Sequence, residues 1–452
     1  MRRQLAFPAV LLAASLVGLA ACDDGGSSTT PAPAPTPAPA PAPTPADPPA
    51  NMEVEGEITE DTTWVAATEV ILRGAVFVND GVTLTIEPGT RIYGDSATNG
   101  TLIVARGGTL MAMGTAEAPI VMTSDQPEGE RARGDWGGLI INGYAPLNIP
   151  GSEGEGEGDT GAYGGDNPAD SSGVLNYVRV EFAGTEFSPD NELNGIAFQG
   201  VGSGTEVDYI QVHFNKDDGV EFFGGTVDAK HVICTGIADD SFDWTDGWTG
   251  RGQFWIAQQR GDDADQGIEA DNNGENNDLT PRSSPTLYNL TLIGDPDTDQ
   301  GDESDIGILL REGTSAKIAN SIVIGFKETG LDIDNAATYA LAQDGTLVVK
   351  NSIFYNNLES NFDDDSGEDP APAFSTRDFA AASTLLVEVD PMLADPYNHE
   401  APDCRPMAGS PALISAGAAV PPADGFFDPV TYAGACGPDD DWFMGWTSFA
   451  QN

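Results

Sequence analysis

Between residues 193 and 363 one short arrangement of polar, small and apolar positions is written seven times. Aligned on the small third residue, the copies are Leu193–Ala197, Asp217–Glu221, Asp239–Asp243, Asp265–Glu269, Asp305–Leu309, Glu328–Asp332 and Glu359–Asp363. Position three is Gly195, Gly219, Ser241, Gly267, Gly307, Gly330 or Asn361, residue types that tolerate a left-handed corner. Position four is always apolar (Ile196, Val220, Phe242, Ile268, Ile308, Leu331, Phe362), which predicts an inward side chain. Alternation along a strand then turns Glu221, Asp243, Glu269, Asp332 and Asp363 outward. Recurrence at about one turn per copy predicts coils stacked on coils, with these acids forming a ladder.

Period-two runs precede the corners: Tyr209–Phe214, His231–Cys234, Leu287–Leu292, Asn320–Ile324 and Asn351–Tyr355. Spacings of 22 to 26 residues between neighbouring short copies suit a three-sided coil, and the 40-residue interval holds an acidic loop from 271 to 305. Nearer the start, Val70–Leu72, Val76–Val78, Val82–Ile86, Leu102–Val104 and Ile120–Met122 alternate in the same way, separated by Gly-containing turns. The expected fold is all-β: a right-handed parallel β-helix, a solenoid with loop insertions and a short C-terminal cap. A solenoid grows in one dimension, so about 400 residues need not split into several cores.

Ahead of this region, Met1–Arg3 is charged, residues 5–19 are apolar, and Leu19–Cys22 resembles the lipobox of bacterial lipoproteins. The expectation is a signal peptide over 1–21, lipidation of Cys22, and a Pro/Ala/Thr-rich tether to residue 52, extended at about 3 Å per residue. The β-helix is then expected over 53–403 and the cap over 404–452. This places the protein on a bacterial outer membrane or cell surface, held by lipid, with the periplasmic leaflet as the alternative.

The formal net charge of −53 excludes nucleic acid and anionic lipid surfaces as partners. Cys404 and Cys436 are expected to pair, closing a loop worth about 3 kcal/mol, whereas Cys234 takes an inward strand position. With His213, His231 and His399 as the only histidines, a Ser-His-Asp or Cys-His engine is not supported, and no zinc-type spacing occurs.

The acids fall in register, which a scattered solvated coat would not produce. Coils about 4.8 Å apart bring stacked carboxylates into repulsion of about 1 kcal/mol in water, or about 3 kcal/mol at an effective dielectric near 20. Ca²⁺, with six to eight oxygen ligands in flexible geometry, would relieve it. Raised pKa values, a nearby lysine such as Lys216 or Lys327, or hydration are the other routes. The candidate ligands are Asp217, Asp218, Glu221, Asp239, Asp240, Asp243, Asp265 and Glu269; the loops 262–265 and 295–299 come second, and neither carries an EF-hand pattern. Trp248, Trp255 and Arg251 sit beside the densest acids in sequence and are the candidate contacts for a sugar, while the inward pattern assigns Trp244 to the core.

The segments Gly134–Asn148, Asn215–Gly225 and Asp441–Phe449 together resemble bacterial secreted lipoproteins that carry a right-handed parallel β-helix, over nearly all of residues 53–452. That resemblance implies fold and location and no established activity. Among broader β-helix relatives, lyases use Ca²⁺ with an Arg or Lys base, for which Arg251, Arg260 and Lys216 are candidates. Asp239-Asp240 is similar to the double Asp of polygalacturonases, whose Gly-His-Gly and Arg-Ile-Lys companions are missing here. The functional expectation is a surface-anchored β-helix that binds extracellular polysaccharide or a partner protein, with a polysaccharide lyase, ahead of a glycoside hydrolase, as the alternative.

Overall fold

The computed structural model describes residues 50–188, 191–363, 374–382, 388–413 and 418–452. The leader, Cys22 and all but the last three residues of the tether lie outside them. Twenty-four strands join in one sheet whose neighbours all run parallel, from Ala50–Ile58 to Ile353–Tyr355, and the chain winds as a right-handed parallel β-helix. Among the described residues no helix is long and apolar enough to cross a membrane.

Each full coil has three sides. Val220–Phe223 forms one side, and Asp228–Thr235 forms the other two, because the strand bends sharply at His231. The next coil repeats this with Phe242–Thr245 and Arg251–Gln258, bent at Phe254. The bend residues Tyr177, Tyr209, His231, Phe254, Asn289, Asn320 and Asn351 all adopt left-handed backbone, with φ between 50° and 61°. Asn tolerates that conformation, whereas an aromatic residue there is strained. Stacking offsets the strain: Tyr177 on Tyr209 at 4.4 Å, Tyr209 on His231 at 4.2 Å and His231 on Phe254 at 5.1 Å between centroids, pairs worth about 0.5–1.5 kcal/mol each. What reads in sequence as one alternating strand is therefore two strands and a corner.

The fourth positions of the seven copies are all buried, from Ile196 to Phe362. They line a dry interior with Val212, Cys234, Leu292 and Val323 from the third side. The glycines at position three act differently from expectation, since none of Gly195, Gly219, Gly267, Gly307 or Gly330 has a left-handed φ. They are needed for space. A Cβ on Gly195 would come within 2.3 Å of Val212 Cγ1, and one on Gly307 within 2.3 Å of Val323 Cγ1. The turn brings the backbone against the side chain of the third side, and only a small residue lets it through.

Among the described residues the last strand of the parallel sheet is Ile353–Tyr355, and a parallel bridge between Thr329 and Ser360 follows it. The C-terminal segment also does more than close the last coil. Cys404 and Cys436 form a disulfide, and residues 419–451 run along the outside of the coils, over the second side at Lys230, Arg251 and Gln253 and over the third at Gln211 and His213. Ala435, Phe443 and Trp446 cover the outward residues Ile233, Ile256, Ile322 and Ile353. Gln211, Gln253 and Asn320 each donate to and accept from the backbone of this strap. Trp442 and Trp446 pack edge-on against the stacked aromatic bends.

Candidate metal centre on the acidic face

The site grows out of one outward column on the first side. Residues paired in register across successive coils are Phe77, Ile103, Ile140, Ala197, Glu221, Asp243, Glu269, Leu309 and Asp332. The column is apolar in its early coils, where Tyr163 from the neighbouring loop packs edge-on to Phe223, and it turns acidic at Glu221. Just before each strand, the corner adds two more carboxylates per coil, Asp217 and Asp218, then Asp239 and Asp240.

The corner fixes these acids through backbone bonds. Asp218 Oδ1 accepts the Asp240 N–H at 3.1 Å, and Asp240 Oδ1 accepts the Gln266 N–H at 2.6 Å. Each coil thereby holds the carboxylate of the coil before it. Asn215 Nδ2 donates to the carbonyls of Asp217 and Asp218, locking the turn from behind.

Four groups of three carboxylates result, each with one oxygen per residue lying within 4.8 Å of the others: Asp217, Asp218 and Asp239; Asp218, Glu221 and Asp243; Asp239, Asp240 and Asp265; Asp240, Asp243 and Glu269. Asp218, Asp239, Asp240 and Asp243 each belong to two groups. All eight acids singled out from the sequence meet here, while the loops at 262–265 and 295–299 contribute only Asp265. The face is less exposed than the alternation implied, because the loops flanking it leave Glu221 8% exposed and Asp240 2%.

Burial is the main force on these acids, and mutual repulsion follows. It pushes Asp217 up to about 7 and Asp239 up to about 6, with Asp239 and Asp265 respectively as the next contributors. Asp218, Glu221, Asp240 and Asp243 are pushed well above the ordinary range for the same two reasons. Among the described residues no Lys or Arg forms an ion pair with any of these six.

The donor set fits a hard divalent cation, being all oxygen and crowded. Two of its oxygens are orphaned: Asp243 Oδ1 and Asn194 Oδ1 are buried with no hydrogen-bond partner. Asn194 is 1% exposed, and its Nδ2 donates to Glu221 Oε2 at 2.5 Å, so its amide is part of the site. Buried acceptors without donors are the arrangement a cation satisfies.

Two sequence expectations fail here. Trp248 and Trp255 are fully buried and cannot meet a ligand. Trp248 stacks on Phe222 at 4.1 Å and donates to the Val227 carbonyl, and Trp255 packs on Phe242 and donates to the Ala229 carbonyl. Arg251 belongs to the second side, paired with Asp228 and Asp424 over the ring of Phe426. Its reach is taken up by the strap.

Two residues escaped the sequence reading. Asn194 occupies position two of the first copy, equivalent to Asp218 and Asp240, and being neutral it carries no signal in a column of acids. Arg311 pairs with Glu269 and Asp271 and brings a cation onto this face; it lies two positions beyond the fifth copy, outside the repeat.

The comparisons agree with the architecture. No curated protein and no solved structure matches the chain. Residues 56–385 match the model of the pectate-lyase-like beta helix domain. That match spans most of the chain and includes every coil of the acidic face, so the protein belongs to the family of pectate-lyase-like beta helix domains.

Proposed function

We propose that the protein is a lipid-anchored, exported β-helix whose acidic face holds Ca²⁺ and through it binds extracellular polysaccharide, acidic polymers above all. The observation that carries the reading is the set of four interlocked carboxylate groups with the orphaned oxygens of Asn194 and Asp243 among them. Family membership supports a carbohydrate-related role. A body of net charge −53 repels a polyanion, so an anionic chain approaches this face only where a cation bridges the two sets of carboxylates. Asp217, Asp218, Glu221, Asp239, Asp240, Asp243, Asp265 and Glu269 would supply the oxygens. The lipid on Cys22 and the proline-rich tether would present the face away from a bacterial outer membrane or cell surface. A partner protein carrying exposed carboxylates would be held by the same bridging.

The test is retention of the protein on immobilised polygalacturonate in Ca²⁺ and in chelator. Retention only with Ca²⁺, lost in Asp240→Asn, is the expected result; equal retention in both buffers contradicts it. One observation favours a second reading: Arg311 places a guanidinium beside Glu269 and Asp271, the kind of basic group a polysaccharide lyase requires near its cation. Absorbance from unsaturated chain ends, appearing with Ca²⁺ and not with chelator, would select the lyase.

A further inference from the structure

Where the run of stacked outward acids is interrupted at Leu309, before Asp332 resumes it, the chain supplies a cation of its own. The outward column passes from Glu221 through Asp243 to Glu269 and then meets Leu309. Arg311 follows Leu310, which lies across the coil boundary from Ala270, and its guanidinium reaches back over that boundary. It bonds Glu269, and its Nε donates to Asp271 Oδ1 at 2.9 Å. At the opposite end of the ladder the chain uses neutral residues instead: Asn194 stands at the corner position of Asp218 and Asp240, and Ala197 at the outward position of Glu221. Among the described residues the six acids of the two coils between these ends form no ion pair with Lys or Arg, and the buried oxygens Asn194 Oδ1 and Asp243 Oδ1 have no hydrogen-bond partner.

We propose that Arg311 is a built-in counter-cation that closes the metal array, filling the rung beyond Glu269 that a divalent ion fills between the earlier coils. The proposal rests on the Ca²⁺ reading for the ions and on geometry alone for Arg311. A guanidinium suits this place because its planar fork spans two carboxylates and keeps its charge at every relevant pH. Metal is thereby confined to the gaps between the coils of Asp217–Glu221, Asp239–Asp243 and Asp265–Glu269. Glu269 and Asp271 thus keep a permanent counter-charge between them, so the coil that begins at Leu309 stays against theirs whether or not metal is present.

The experiment uses the purified mature protein, Arg311→Met, and the triple variant Arg311→Met/Glu269→Gln/Asp271→Asn. Methionine retains most of the apolar stem, so packing changes little. In EDTA, Arg311→Met is expected to melt lower than the parent by about 3 °C or more, and the triple variant to recover at least half of that loss. By calorimetric titration with CaCl₂, Arg311→Met is expected to take up one more ion than the parent. An Arg311→Met protein that melts with the parent in EDTA, a triple variant that recovers nothing, or, in a parent that does bind Ca²⁺, an unchanged ion count overturns the proposal. If Arg311→Met does not fold, the triple variant decides: folding supports the counter-cation, and failure to fold overturns it. A parent that takes up no Ca²⁺ while the EDTA melts behave as expected removes the proposed function and leaves the counter-cation standing.

Discussion

Asp243 lies directly across the coil boundary from Glu221, in register on the outward face, and its Oδ1 is buried without a hydrogen-bond partner. Two carboxyl groups are held at strand spacing in a buried place, where Asn194 bonds Glu221 but no donor reaches Asp243 Oδ1. The β-helix imposes this arrangement, because stacking sets each outward position directly against its counterpart on the next coil, and here both are acids. A fold that places carboxylates so closely needs protons or cations to hold them, and the following expectations separate the two.

Without divalent cation, stability should fall as pH rises. Asp217 and Asp239 are raised to about 7 and about 6 from an ordinary 3.8. A raised carboxylate favours the folded state while protonated, so its contribution is complete below about pH 4 and is lost as pH passes 6 to 7. Thermal melts in EDTA should therefore drop between pH 5 and pH 8, and saturating Ca²⁺ should flatten that slope. A melting temperature that rises with pH in EDTA would show that these acids are not desolvated.

Asp240→Asn removes a charge shared by two of the four groups while leaving an oxygen to accept the Gln266 N–H. Affinity for Ca²⁺ should fall about tenfold or more, about 1.4 kcal/mol, and the metal-free protein should melt higher because repulsion with Glu269 and Asp239 is relieved. Titration calorimetry and EDTA melts on one preparation check both. Weaker binding together with lower metal-free stability would mean that Asp240 is a structural acid.

Trp248→Ala should cost about 3–5 kcal/mol of stability, as expected for emptying a buried aromatic site, because Trp248 is stacked on Phe222 and fully enclosed. Urea denaturation measures it. A surface sugar contact would instead leave stability unchanged and weaken polysaccharide binding.

The strap should depend on its disulfide. Replacing Cys404 and Cys436 by Ser opens a loop of 32 residues and should lower stability by about 3 kcal/mol. It should also raise binding of a hydrophobic dye, as Ile233, Ile256 and Ile322 lose the cover of Phe443 and Trp446. Unchanged dye binding would mean that the polar bonds from Gln211, Gln253 and Asn320 hold the strap unaided.

Much of this was legible in the chain. Period-two alternation and a recurring apolar fourth position define an inward face, and stacking then dictates that Glu221, Asp243 and Glu269 line up. The left-handed bend at Tyr209 and His231 was not legible, because aromatic residues disfavour it and only their neighbours one coil away stabilise it. Position-three glycines were found for the wrong reason: local turn propensity suggested φ, whereas Val212 and Val323, distant in sequence, impose the need for space. Trp248 looked like a turn residue because its partners Phe222 and Val227 belong to another coil. Arg311 and the strap act across coils as well, and a five-residue pattern carries no record of such contacts.

The most direct measurement is bound-metal content of the purified protein together with its melting temperature before and after chelation. The account predicts calcium retained through gel filtration, a fall in the melting midpoint of several degrees in EDTA, and full recovery on adding Ca²⁺. No bound calcium and an identical midpoint in EDTA and in Ca²⁺ would contradict it, leaving the interlocked carboxylates held by protons alone.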